Sequence, residues 1–110
     1  EDAIKALMSM KQKPDAIFSA GDKITMGCVS SLKASGIQIP GDVALVGFTN
    51  SALVDLIEPP LTAIKQPAFE MGQVATELLI KLIESKRPIT EFETVTLQTK
   101  LFTRKSSEKK

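Results

Sequence analysis

"PDAIFSAGDKITMGCVSSLKASGIQIPGDVALVGFTN", residues 14–50, contains two short apolar runs, each closed by a polar turn with a glycine, and one helical period between them. Ala16-Ile17-Phe18-Ser19 reads as a strand that stops at Ala20-Gly21-Asp22. Asp22 is a candidate N-cap for the helix that follows, whose apolar positions Ile24, Met26, Cys28, Val29 and Leu32 form one broad face. Gly36 is its C-terminal stop. After the turn Pro40-Gly41-Asp42, the run Val43-Ala44-Leu45-Val46 is apolar at every position, as a strand covered on both faces needs to be. Strand, helix, strand in this order predicts a parallel sheet with crossover connections.

Upstream, Ile4, Leu7 and Met8 recur at helical steps, which predicts a helix over residues 1 to about 12, ended by Pro14. Downstream of Gly47-Phe48-Thr49-Asn50, a short helical turn is expected across Ala52 to Ile57, stopped by Pro59-Pro60, and Leu61 to Gln66 is expected to run extended. Pro67 suits the first position of a long helix to about Lys86, with Met71, Val74, Ala75, Leu78, Leu79 and Leu82 on one stripe. Val95, Leu97 and Leu101 alternate with Thr96, Gln98 and Lys100, the period of a strand with one wetter face at a sheet edge. The fold class is therefore α/β, three-layered, with a mainly parallel sheet.

The chain has 110 residues, 43% of them hydrophobic, with 14 basic and 13 acidic side chains. That balance excludes a broad nucleic-acid or membrane-binding charge pattern. The only basic stretch, Arg104 to Lys110, reads as a frayed, disordered tail over 105–110. A single cysteine, Cys28, fits a reducing compartment and a small hydrophobe on an apolar helix face, so the cytoplasm is expected. Neither a targeting leader nor an apolar run of membrane-spanning length is visible. The chain opens at Glu1-Asp2 inside a helical pattern without a methionine, and is expected to be a piece of a longer protein.

In a parallel sheet both turns, at Ala20 and at Gly47, follow the carboxyl ends of strands, the edge where ligands settle in doubly wound folds. Gly21 and Gly47 would allow close approach to the backbone, and Asp22, Thr49 and Asn50 offer hydrogen-bonding groups there. Each has a plainer reading too: Asp22 as an N-cap, Thr49 and Asn50 as turn residues, Phe48 as packing rather than a stacking surface. Catalysis has little support. There is no histidine, and no zinc-ligand spacing, phosphate loop or dinucleotide fingerprint is present. Asp42, Asp55, Glu58 and Glu70 read as solvated surface. No catalytic residue, metal or cofactor is expected.

The opening stretch, followed by "PPLTAIKQPAFEMGQVATELLIKLI", closely resembles the C-terminal part of the bacterial LacI/GalR transcription regulators over residues 1 to 104. The resemblance implies the C-terminal portion of a periplasmic-binding-protein-like type I domain: lobe core 1–60, crossover 61–66, a helix toward the other lobe over 67–90, and a returning strand over 91–104. It also implies a small-molecule effector in a cleft between lobes, a homodimer or higher oligomer, and operator DNA bound through an N-terminal headpiece outside this chain. Carried over by position, Gly21, Asp22, Phe48, Thr49, Asn50 and Gln66 are the expected effector-binding residues. Lys23, Met26, Gly27, Ser30, Val54 and Ile57 are the expected dimer surface, with ordinary core or surface as the plainer alternative. Thr49 stands where the family usually has an effector-binding Asp. An ionised Asp can accept from two sugar hydroxyls at once and a threonine cannot, so a sugar held in the family's usual way is not expected, and a sugar phosphate, another metabolite or a protein co-regulator stay open. An extracytoplasmic solute-binding protein of the same fold, or an enzyme completed by residues outside the chain, are the competing classes.

Overall fold

The computed structural model describes residues 1–108 and divides into two compact units, Glu1–Lys65 with Lys100–Lys110, and Gln66–Thr99. The expected disorder of Lys109 and Lys110 lies outside the described residues. The first unit carries helix α1 (Asp2–Met8), strand β1 (Ala16–Ala20), helix α2 (Asp22–Ala34), strands β2 (Ala44–Phe48) and β3 (Thr62–Lys65), and strand β4 (Lys100–Phe102). The second unit carries helix α3 (Ala68–Glu84).

The strands form one sheet in the order β1-β2-β3-β4, parallel except for the last pair. The register sets Ala16 against Ala44 and Ala20 against Phe48, so β1 and β2 end together. Side chains alternate across the sheet. One face presents Ile17, Leu45 and Ala63 to a core that includes Ile4, Val29, Leu32, Val54 and Leu61. The other face carries Phe18, Val46, Phe48, Ile64 and Leu101, half-buried or exposed, and α1 and α2 do not cover it. Of the run expected to be apolar on both faces, Val43, Ala44 and Leu45 are buried and Val46 is half-buried.

Helix α2 forms where its apolar period demands, with Thr25, Val29 and Leu32 buried at steps of four and three. It ends as expected: Gly36 turns to φ 69°, and Gly36 N–H and Ile37 N–H donate to the Lys33 and Leu32 carbonyls at 3.0 Å each, closing the last turn. Helix α1 stops at Met8, earlier than Pro14 alone would require, its last turn closed by Ser9 N–H and Ser9 Oγ on the Lys5 carbonyl. Between β2 and β3 the expected helical turn is a single 3-10 turn, Ala52–Asp55, capped by Ser51 Oγ accepting from Leu53 N–H at 3.2 Å.

Two segments depart from expectation. The alternating residues 95–101 pair only over Lys100–Phe102, because β3 is four residues long and offers no further ladder. The segment expected to fray is instead a 3-10 turn, Lys105–Ser107, with Ser106 fully buried. Ser106 Oγ donates to the Leu45 carbonyl at 2.6 Å and accepts from Thr62 N–H at 2.8 Å, while Arg104 pairs with Asp55 at 2.6 Å and donates to the Leu61 carbonyl at 2.9 Å. Hydrogen bonds to the sheet, invisible in composition, hold Arg104 to Ser107 in place.

In the second unit, α3 spans 17 residues with none buried. Its Lys81 pairs with Glu93 at 3.4 Å, and its Leu78 and Leu82 line, with Ile89 and Phe92, a cavity of about 300 Å³.

Candidate ligand-binding rim

The rim is built at the carboxyl ends of β1, β2 and β3. Gly21 N–H donates to the Phe48 carbonyl at 2.9 Å, and Thr49 N–H donates to the Ile64 carbonyl at 3.1 Å, so each strand end is tied to its neighbour. The two turns therefore lie side by side on one edge of a parallel sheet, as the strand–helix–strand order requires.

Beneath the rim sits a buried polar strut. Ser19 Oγ and Thr25 Oγ1 share a hydrogen bond of 2.9 Å, Ser19 Oγ reaches the Val46 carbonyl at 3.3 Å, and Thr25 Oγ1 donates to the Gly21 carbonyl at 2.7 Å. Both side chains are essentially inaccessible, so these bonds satisfy groups that burial would otherwise penalise. Gly47 makes the close approach possible: a Cβ there would meet Thr25 Cγ2 at 2.7 Å and Leu61 Cδ2 at 3.1 Å. Sequence reading singled out Gly47 for access by a ligand. The structure uses it for packing against α2. Ser19 and Thr25 were missed, since isolated hydroxyl residues on a strand and a helix carry no periodic signal.

Asp22 is not the N-cap. Gly21 takes that position at φ 116° and ψ 156°, a conformation open essentially to glycine alone, and Asp22 enters the first turn of α2. Its carboxylate reaches instead across to the second loop, where Oδ1 accepts from Thr49 Oγ1 and from Asn50 N–H at 3.2 Å. Thr49 Oγ1 in turn accepts from Ser51 N–H at 3.1 Å. Thr49 is thus a buried brace and not an open ligand group, whereas Asp22 and Asn50 are exposed. Phe48 is half-buried and meets Phe18 edge-to-face, the centroids 6.5 Å apart. Gly21, Asp22, Phe48, Thr49 and Asn50 are brought together; Gln66, half-buried, opens the second compact unit.

The expected dimer residues divide. Lys23, Gly27 and Ser30 are exposed and Met26 half-buried, all on the face of α2 turned from the core. Val54 is fully buried and turned into the core, whereas Ile57 packs on the same core and stays half-buried. The outward apolar side chains of that segment are Leu53 and Leu56, 50% and 79% exposed. They were missed because the surface residues were carried over by position from the resemblance, which does not say which side of the short turn faces outward. Cys28 is half-buried against the core, and burial pushes its thiol up, keeping it protonated at neutral pH. Among the described residues no group of three or more histidine, cysteine or acidic side chains is placed to hold a metal ion, and no helix is long and apolar enough to cross a membrane.

A mainly parallel sheet whose strand ends are stitched into one polar rim defines an α/β lobe of the doubly wound kind, in which that edge is where ligands settle. Residues 1–107 match the periplasmic binding protein-like domain. The chain belongs to that family, in the LacI branch whose curated relatives are transcriptional regulators. It is 41% identical over 87 residues to the HTH-type transcriptional regulator RegA of Clostridium acetobutylicum, covering 79% of this chain and 26% of that protein. It is 34% identical over 84 residues to the HTH-type transcriptional repressor CytR of Escherichia coli K12, covering 76% and 25%. Among solved structures, a LacI family transcriptional regulator from Enterococcus faecalis V583 with bound ribose superposes with a TM-score of 0.77 and 31% identity, covering 96% of this chain and 38% of that one. The chain spans about a quarter of the length of the curated relatives it matches.

Proposed function

We propose that the chain is the C-terminal portion of the effector-binding and self-association domain of a cytoplasmic LacI-type regulator, which binds a small molecule at the rim of Asp22 and Asn50 and operator DNA through a headpiece elsewhere in the protein. Within that reading the lobe core is 1–60, 61–66 is the crossover, and the chain binds rather than catalyses. The observation that carries the reading is the stitched rim: three strand ends held in register, with a carboxylate and an amide-bearing residue exposed at the edge where doubly wound sheets take ligands. Relatives named as regulators, one of them solved with ribose, support it.

Effector binding would change operator affinity through its preference for one arrangement of the domain. Thermal-shift screening of the complete protein against sugars, nucleosides and other metabolites tests this, because a ligand that prefers the native state raises the melting temperature. The expected hit also alters operator binding in a gel-shift titration; a ligand that binds with no effect on DNA affinity contradicts the regulatory role.

The face of Lys23, Met26, Gly27 and Ser30, together with Leu53 and Leu56, is the proposed self-association surface. An apolar group as exposed as Leu56 suits a partner's surface better than water. Leu56→Asp in the complete protein is expected to shift sedimentation toward monomer, and an unchanged dimer would exclude this face.

A further inference from the structure

The rim contains one carboxylate, and its orientation is set from the opposite loop. Thr49 commits its hydroxyl proton to Asp22 Oδ1 and one of its two lone pairs to Ser51 N–H, and it is buried, so it has little to offer a ligand. Asn50 N–H adds a second donor to the same carboxylate oxygen. A carboxylate accepts at about four lone-pair positions, and both of these bonds fall on Oδ1, so acceptor capacity is left on an exposed side chain.

We infer that Asp22, held in place by Thr49, is the specificity-determining group of the rim, and that it selects an uncharged effector bearing hydroxyl or amino donors while excluding phosphorylated ones; this rests on the effector-binding reading above. Thr49 acts as a positioning residue: its hydroxyl fixes the carboxylate and does not touch the effector.

The charge distribution points the same way. None of Gly21, Asp22, Phe48, Thr49 and Asn50 is a cation. Lys23, next along, lies on the outer face of α2 with Met26, Gly27 and Ser30. Lys65, at the end of β3, holds its ammonium 5.4 Å from the centre of the Phe102 ring. The amino end of α2 would attract an anion, but the Asp22 carboxylate already stands in its first turn and compensates it. A phosphate at this edge would meet the Asp22 carboxylate, while Lys65, the lysine at the end of β3, is engaged with the Phe102 ring and Lys23 lies on the outer face of α2. Donors on a neutral ligand complete the Asp22 hydrogen bonds instead. Gly21 cannot take over the recognition through a substituted amide, because its φ of 116° disfavours any side chain there.

The test measures melting shifts and affinities of the complete protein with ribose, glucose and uridine, each free and as its phosphate monoester. A free compound is expected to bind about tenfold or more tightly than its ester, the size of one charge-assisted contact. Thr49→Val is expected to weaken that binding by about tenfold through loss of the orienting bond, and Thr49→Ser, which keeps the hydroxyl, to restore it. Asp22→Asn keeps an oxygen for Thr49 while removing the charge, so the preference for the free compound over its ester should fall; this variant decides the matter if the valine variant does not fold. An ester that binds as tightly as its parent, or a Thr49→Val protein with undiminished affinity, overturns the inference and leaves effector binding standing. No shift with any of the compounds counts against the effector-binding reading itself.

Discussion

Gly47 lets Thr25 of α2 pack directly against the sheet backbone. Adding a methyl group at Gly47 would bring it to 2.7 Å from Thr25 Cγ2, inside any ordinary contact distance. Gly47→Ala is expected to cost about 1–3 kcal/mol of stability, the usual penalty for overpacking, read as a lower urea midpoint. Thr25→Ser removes the clashing methyl while keeping the hydroxyl on the Gly21 carbonyl, so the double variant should recover part of that loss. Strict additivity of the two changes would show that the contact is not the cause. Asp22 carries a complementary lesson. Its type, a leading N-cap residue, favoured the local use, yet glycine at position 21 took the cap and freed the carboxylate to bind a loop 27 residues away.

The sheet's far end depends on the short segment after β4. Ser106 is fully buried and satisfies both Thr62 N–H and the Leu45 carbonyl, so Ser106→Ala leaves two buried backbone groups without that partner. A loss of about 1–3 kcal/mol is expected by chemical denaturation. By contrast Asp55→Ala removes a pair whose acid is more than half exposed and should change stability by about 1 kcal/mol or less. A loss confined to Asp55→Ala, with Ser106→Ala unchanged, would mean that the Arg104 pair, and not Ser106, anchors the segment. The elements themselves were legible: β1, α2, Gly36 as a stop, β2 and the long helix α3 all follow from apolar period and turn chemistry. The turn at Ala52–Asp55 was expected too, but the 3-10 segment Lys105–Ser107 was not, because a single turn has too few residues to display a period.

Helix α3 has the clearest apolar stripe in the sequence and no buried residue, with Phe69 89% and Ile83 73% exposed and Met71, Leu79 and Leu82 also open. Burying a side chain of this kind is worth about 1.5–3 kcal/mol, so several together amount to a large share of a domain's stability. The 110-residue chain on its own is expected to self-associate and to bind a hydrophobic dye, by sedimentation and fluorescence; a monodisperse monomer without dye binding would show that the stripe is covered in another way. Such a surface fits a chain that spans about a quarter of its relatives' length.

The order of strands and helices, their parallel pairing and the shared edge of the two turns were determined by sequence, because periodicity and turn residues act over a few neighbouring positions. The tertiary structure alone decided that Thr49 braces Asp22, that Val54 turns inward while Leu53 and Leu56 turn outward, and that the basic segment through Ser107 is tied to the sheet. Each of these depends on a hydrogen-bond or packing partner supplied by another strand or turn, up to 61 residues away in the case of Ser106 and Leu45. No local pattern encodes such a partner, since burial and bonding are properties of the assembled chain.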